Sequence, residues 1–253
     1  MTEYLIYKIL LIAIFALAII IFPTLLFIPA PYGRHNRPGW GPSINARFGW
    51  AIMESLAVIV FVLCFAFGSK SIGVIPLLFL IMWLTHYLHR AYVYPLRMRA
   101  REKQMPVLIM LLAVVFNIIN GYLNGRYLFA FAPDYPLSWI KDSRFITGFL
   151  LFIAGFAINL HSDDMLRSLR ASGESGYKMP HRGLFEYVSS ANYFGEIIEW
   201  CGWALATWSL PGLAFALFTI ANLAPRAGWH HEWYRREFPE YPPKRKALIP
   251  FLY

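Results

Sequence analysis

Charge is what this 253-residue sequence has least of: 15% of its residues are Asp, Glu, Lys or Arg, where a soluble domain carries about 25%. That shortage argues against an ordinary soluble enzyme. Cysteine is nearly absent as well, and the two present, Cys64 and Cys201, lie in apolar stretches, which excludes a disulfide scaffold or a structural zinc cluster. Histidine is sparse: His35 and His181 stand alone, and His86-x-x-His89 and His230-His231 do not build the repeated clusters that a two-metal oxygenase needs, so no metal site is expected. Neither a glycine-rich dinucleotide fingerprint nor a P-loop occurs, so any nucleotide must be held by side chains from helices and loops. There is also no internal repeat, no low-complexity tract and no loop long enough to be a soluble domain.

What is there is apolar and comes in runs, with 58% of residues hydrophobic and 18% aromatic. Seven segments are expected to cross a bilayer: Tyr4 to Ile28, Phe48 to Phe67, Ile72 to Tyr94, Pro106 to Leu123, Phe145 to Leu160, Tyr187 to Ser209 and Gly212 to Ala224. The last is short, but the aromatic and basic stretch Arg226 to Arg236 continues it at helical spacing. The first is not expected to be a cleaved signal: the run is too long, Glu3 precedes it, and no small-x-small cleavage site follows promptly. With the amino terminus outside and the carboxyl terminus cytosolic, eighteen of the 23 Lys and Arg fall on the inner side and five on the outer. The basic excess, a formal +9, is thereby explained by topology without invoking nucleic acid. The expected fold class is all-α, a polytopic membrane protein of seven helices, acting as a monomer.

Ionisable groups inside spans cost a few kcal/mol each on insertion scales and mark function or a paired contact. Glu54 sits in the second span, His86, Tyr87, His89 and Arg90 in the third, and Asn192, Glu196 and Glu199 in the sixth. At 1.5 Å per residue, Glu54 and Tyr87 lie roughly 10 to 15 Å from the inner ends of their spans, and Glu196 about 13 Å from the start of the sixth. Four ladders share helical faces: Tyr87, Arg90 and Tyr94; Asn159, Asp163, Arg167 and Arg170; Asn192, Glu196 and Glu199; and Asn222, Arg226, His230 and Tyr234. Each alone reads as an i, i+4 ion pair, a snorkelling belt or a packing hydrogen bond; four on one side of the membrane point to a site. The inner cations Arg167, Arg170, Lys178, Arg182 and Arg226 suit a polyanion with sugar hydroxyls, such as a phosphorylated nucleotide, and a carboxyl and a phenol at matching depth suit polarisation of a substrate oxygen.

The segments RHNRPGWGPSINARFGWAIMES (34–55), HYLHRAYVYPLR (86–97), NLHSDDMLRSLR (159–170), GLFEYVSSANYFGEIIEWCGWALATWSLP (183–211) and KRKALIPF (244–251) resemble the steroid 5α-reductase family, the 3-oxo-5α-steroid 4-dehydrogenases. The likeness runs through essentially the whole chain after the first span. It implies a seven-helix enzyme that reduces the C4–C5 double bond of a 3-oxo-Δ4 steroid with hydride from NADPH, its active site in the cytosolic half of a bacterial inner membrane or of the endoplasmic reticulum. Residues 1–253 would form one domain, 1–123 supplying mainly substrate-binding helices and 145–253 mainly NADPH-binding helices and cytosolic loops. Carried onto this sequence, the likeness makes Glu54 and Tyr87 the catalytic pair on the steroid 3-oxo group, with Arg90 beside the substrate. Asn159, Asp163, Arg167, Arg170, Tyr177, Lys178, Asn192, Glu196, Arg226, His230, Tyr234 and Arg101 become cofactor-binding. Lys178 stands where Arg is expected, keeping the charge without the bidentate fork. Another sterol or polyprenol reductase, an isoprenylcysteine methyltransferase-like enzyme and a sterol-binding transporter or sensor are the competing readings.

Overall fold

The computed structural model describes residues 2–35, 37–70, 73–98, 103–169 and 176–253. Among these residues there are eight α-helices: α1 (Glu3–Phe27), α2 (Ala46–Ala66), α3 (Val74–Leu88), α4 (Tyr94–Arg97), α5 (Val107–Arg126), α6 (Ser143–Ser168), α7 (Ala191–Thr207) and α8 (Leu210–Glu237). Among the described residues the all-α expectation is broken by a short antiparallel pair, β1 (Ser43–Asn45) and β2 (Gln104–Pro106), with Ile44 opposite Met105. It leads into α2 and α5, where Asn45 caps α2 by accepting from the Arg47 amide at 3.0 Å.

Among the described residues, six helical stretches are long and apolar enough to span a membrane: α1, α2, α3 through α4, α5 with its extension to Phe131, α6 and α8. The expected sixth span, Tyr187 to Ser209, is trimmed to the 17-residue α7. Its first residues are committed elsewhere: the Ser189 amide donates to Lys246 O at 2.8 Å and the Ser190 amide to Ala247 O at 3.2 Å, so the helix begins at Ala191. Glu196 therefore lies about 8 Å from the start of its helix rather than 13 Å. At the other end Trp208 takes a left-handed conformation (φ 46°), and Ser209 caps α8 by accepting from the Gly212 amide at 3.1 Å. The expected short seventh span is the first half of α8, a 28-residue helix that passes through Pro225 into the basic and aromatic stretch.

Two turns of π-helix, His89–Val93 and Tyr127–Phe131, precede Pro95 and Pro133. The Tyr94 amide donates to His89 O, and the Ala132 amide to Tyr127 O, both five residues back. Pro95 continues the helix, and its ring would clash with the carbonyl four residues before it, which widening the turn relieves; Pro133 follows the extended Ala132 (ψ 156°) and lies beyond the helix end.

The chain forms two compact units, Met1–Ile12 with Pro31–Ile146, and Ala13–Ala30 with Thr147–Tyr253. In the first, Phe61, Phe79 and Trp83 are fully buried, with Phe61 stacked on Trp83 at 4.4 Å. Here α5 lies close to α2 because its facing residues are glycines: a β-carbon at Gly125 would stand 2.6 Å from Cys64 Cβ. In the second unit, Phe152, Trp200 and Trp203 are buried, and α6 meets α7 backbone to backbone. A β-carbon at Gly155 would lie 2.3 Å from the Glu199 nitrogen, and one at Gly202 2.4 Å from the Phe152 nitrogen. Small residues of this kind are how helices approach in lipid, where apolar surface gains nothing by leaving the tails.

Candidate active site

In the first unit the α2–α5 contact sets polar side chains among apolar ones. Asn117, Asn120 and Asn124, at spacing 0, 3, 7, occupy one face of α5, and all three are buried. Asn117 Nδ2 donates to Met53 O at 2.8 Å and to Glu54 Oε2 at 3.4 Å, so the carboxylate is tied to α5 across the helix pair. Asn120 Nδ2 donates to the Tyr87 phenol oxygen at 3.4 Å. Asn124 Nδ2 donates in turn to Asn120 Oδ1 at 2.9 Å and to the Asn120 carbonyl at 3.1 Å. Glu54 of α2 and Tyr87 of α3 thus engage amides one turn apart on α5. Tyr87 is 3% exposed, with its ring 4.7 Å from Trp83 and 5.0 Å from His86. Trp83 is itself fixed by donating to Ala57 O at 3.1 Å. Arg90, in the π turn, is buried with its guanidinium 4.9 Å from the Trp50 ring and 4.7 Å from that of Tyr94, so its charge rests on aromatic faces.

The second unit gathers most of the expected cofactor residues. The α6–α7 contact lets Asn159 Nδ2 donate to Asn192 O at 3.0 Å and to Glu196 Oε2 at 3.3 Å, while Asn192 Nδ2 donates to Asp163 Oδ1 at 3.0 Å. On α8, Arg226 donates to Asn222 Oδ1 at 3.0 Å and to the Tyr193 phenol at 2.8 Å, with its guanidinium over the same ring. The His230 ring is 5.2 Å from that of Tyr193, and its Nδ1 is 3.5 Å from Ser190 Oγ. Tyr177 meets the Trp233 ring at 5.3 Å, and Tyr234, 1% exposed, stacks on Tyr241 at 6.0 Å. Lys178 is exposed. Arg167 pairs with Asp164 on its own helix rather than with Asp163, whose carboxylate is turned to Asn192. Arg170 and Arg101 lie outside the described residues.

Sequence reasoning missed several members of these networks. The asparagines of α5 carried a signal, three amides at 0, 3, 7 in an apolar helix, that could have found them. Ser189, His231, Tyr241 and Arg245 carried none, because the carboxyl-terminal segment that joins them is distant in sequence. There Ser189 Oγ bonds both His231 Nδ1, at 2.8 Å, and Tyr241 Oη. Burial pushes the Tyr241 phenol up, against the pull of the Ser189 hydrogen bond and the Arg245 charge. Among the described residues, no group of three or more His, Cys, Asp or Glu is arranged to hold a metal ion.

The sequence profile described as 3-oxo-5-alpha-steroid 4-dehydrogenase matches residues 103–253. The chain is 48% identical over 224 residues to a 3-oxo-5-alpha-steroid 4-dehydrogenase 1 of Macaca fascicularis, covering 88% of this chain and 84% of that protein. It is 45% identical over 242 residues to the Bos taurus enzyme of the same name, covering 94% and 93%. Against a steroid 5-alpha-reductase of Arabidopsis thaliana the identity is 43% over 235 residues, covering 90% of each.

Proposed function

The chain belongs to the 3-oxo-5-alpha-steroid 4-dehydrogenase family, and from that premise we propose that it is a membrane-embedded reductase of 3-oxo-Δ4 steroids. The observation that carries this reading is the coupling of one carboxylate and one phenol, Glu54 and Tyr87, to adjacent amides of α5 among otherwise apolar helices. Conjugate reduction delivers hydride to C5 and moves negative charge onto the 3-oxo oxygen, so donors aimed at that oxygen lower the barrier. Tyr87 donates its phenol proton, and Glu54, held by Asn117, is a second donor when its carboxyl carries a proton. The enol so formed takes a proton at C4 and returns its hydroxyl proton to Tyr87, so that one proton is taken up overall for each hydride. An isolated alkene has no such oxygen to engage, which favours an enone over the substrates of the related sterol reductases.

The electrons come from NADPH, which supplies hydride when bound. The second unit offers what such a cofactor requires. Asp163 and Glu196, already accepting from Asn192 and Asn159, are acceptors for ribose hydroxyls; Asn192 and Asn159 carry the amides that match a carboxamide; and Arg226, aligned by Asn222 and Tyr193, is a fixed cation. Arg167, Arg170, Lys178 and Arg101 add charge for phosphates on the cytosolic side, and Tyr177, His230 and Tyr234 complete the lining. In this reading residues 1–123 serve mainly the steroid and 145–253 mainly the cofactor, in a monomer with seven crossings, α7 included, the amino terminus outside and the site in the cytosolic half of the membrane.

The test is steroid-dependent oxidation of NADPH by the purified protein, run beside binding of S-adenosylmethionine. Testosterone- or progesterone-like enones should drive oxidation, and S-adenosylmethionine should not bind; the reverse pattern assigns a methyltransferase. Replacing Glu54 by Gln together with Tyr87 by Phe should lower kcat by about a thousandfold, in the range found for losing donors to a developing oxyanion. NADPH affinity should be unchanged. Normal turnover by that double variant removes Glu54 and Tyr87 from the chemistry.

A further inference from the structure

The buried amides of α5 form a directed chain. Asn124 donates to the side-chain oxygen of Asn120, at 2.9 Å, and Asn120 donates to the oxygen of Tyr87, at 3.4 Å. The order matters because an amide has one donor end and one acceptor end. With Asn120 Oδ1 engaged by Asn124, the Asn120 nitrogen is the end that faces the phenol, and Asn124 thereby selects which way round Asn120 sits. The second bond from Asn124, to the Asn120 backbone carbonyl at 3.1 Å, holds Asn124 itself in place. Asn120 and Asn124 are 3% and 1% exposed, so water does not compete for these bonds.

We propose that Asn120 and Asn124 are positioning residues that make Tyr87 a stronger donor to the substrate's 3-oxo oxygen. The proposal rests on the assignment of Tyr87 to that oxygen. An N–H given to a phenol oxygen uses a lone pair and not the proton. It polarises the O–H and stabilises negative charge on the oxygen as the proton leans toward the substrate, and hydrogen bonds in series strengthen one another in a dry interior. Both the 3.4 Å separation and the alignment tighten when the phenol is pulled toward a substrate, as catalytic bonds of ligand-free enzymes do. Asn117 differs: its shorter bond goes to a backbone carbonyl, Met53 O at 2.8 Å, which makes it chiefly a clasp between α2 and α5.

Helix packing alone would also retain buried asparagines, so the test must separate the two. Asn120→Leu and Asn124→Leu are made singly and in a Tyr87→Phe background, and kcat, the two KM values and thermal unfolding are measured. Asn120→Leu should lower kcat about tenfold and Asn124→Leu about threefold, with KM for NADPH within twofold of the parent. In single turnovers of the Tyr87→Phe enzyme, adding Asn120→Leu should change the rate by less than twofold, because the residue through which it acts is gone. The second readout needs no turnover. In the complex with NADP+ and a 3-oxo-Δ4 steroid, the infrared carbonyl stretch, lowered by the donor, should move back toward its free value in Asn120→Leu and further in Tyr87→Phe.

A carbonyl stretch unmoved in Asn120→Leu, or a full tenfold loss that persists beside Tyr87→Phe, overturns the proposal and leaves Asn120 a packing residue. Parental turnover and a parental stretch in Tyr87→Phe alone would instead overturn the underlying assignment. Should Asn120→Leu fail to fold, Asn120→Gln keeps the amide and displaces it by one methylene, and the same stretch and rate are read on it and on Asn124→Leu.

Discussion

The α2–α5 and α6–α7 pairs solve one problem by two routes. In each, an asparagine reaches across to a backbone carbonyl and to a glutamate: Asn117 to Met53 O and Glu54, Asn159 to Asn192 O and Glu196. The glutamate is the next residue in the first case and four residues on, one turn along the same face, in the second. The helices are brought together differently. On α5, glycines meet side chains of α2, chiefly Cys64 and Val60, whereas on α6 and α7 glycine faces glycine and backbone touches backbone. The nearest α2 atoms, Cys64 Cβ and Val60 Cβ, stand one bond out from their helix, whereas in the second pair the nearest atoms belong to the main chain itself. The second pair, touching glycine to glycine, thus holds its amides and carboxylates at a fixed spacing, as suits a ligand of one unvarying structure.

The sharpest way to break this comparison is Gly155→Ala. Its methyl group would fall 2.3 Å from the Glu199 nitrogen, and since neither helix can move locally the cost should exceed the ordinary 1–3 kcal/mol of overpacking, at about 3 kcal/mol or more. Thermal unfolding in detergent should show it, together with loss of NADPH stabilisation. An unchanged midpoint would mean that the two helices separate readily. Asn192→Ala removes the bond to Asp163 without altering the glycine contact, so the KM for NADPH should rise about tenfold, near 1.4 kcal/mol, with the steroid KM unmoved. Gly125→Ala in the other pair should cost about 1–3 kcal/mol, and Cys64→Gly, which removes the β-carbon standing 2.6 Å away, should recover part of it. If Cys64→Gly recovers nothing, the cost arises between the helix backbones, as in the other pair. The smallest effect belongs to the half-buried ion pair Asp142–Arg144, 2.8 Å apart at the start of α6 and outside both contacts. Arg144 holds the Asp142 carboxyl down at about 2, below its unfolded value near 4. Whatever stability the pair contributes is present above pH 4 and lost as pH falls toward 2, so any difference between Asp142→Asn and the parent should fade across that window.

How far the sequence could be read follows from which of these features are local. The spans were legible because a bilayer demands long apolar runs, and the centres of six were found. The start of α7 was not, since Ser189 and Ser190 are claimed by Lys246 and Ala247, more than fifty residues away. Glu54, Tyr87, Asn159, Asp163 and Asn192 were marked by polarity in apolar helices. Spacing alone does not decide partners: Asp163 and Arg167 are four apart, yet Arg167 takes Asp164 and Asp163 takes Asn192 of a different helix. Helical phase limits which neighbours a residue can reach, but only packing decides among them. The glycines were invisible for the same reason, because the close approach of Gly155 to Glu199 is a property of two helices and of neither sequence alone.

The π turn ahead of Pro95 has a consequence for how the end of the third span tolerates change. One residue more than an α-helix would use is housed in His89–Val93, and the proline's need for a wide turn is what keeps it there. With Ala in place of Pro95 the segment gains a second admissible winding, one residue out of step, and every side chain from Tyr94 onward would rotate by about 100° between the two. Pro95 thus acts as a ratchet pawl. It makes a single register out of two that nearly match, and it keeps the Tyr94 ring against Arg90.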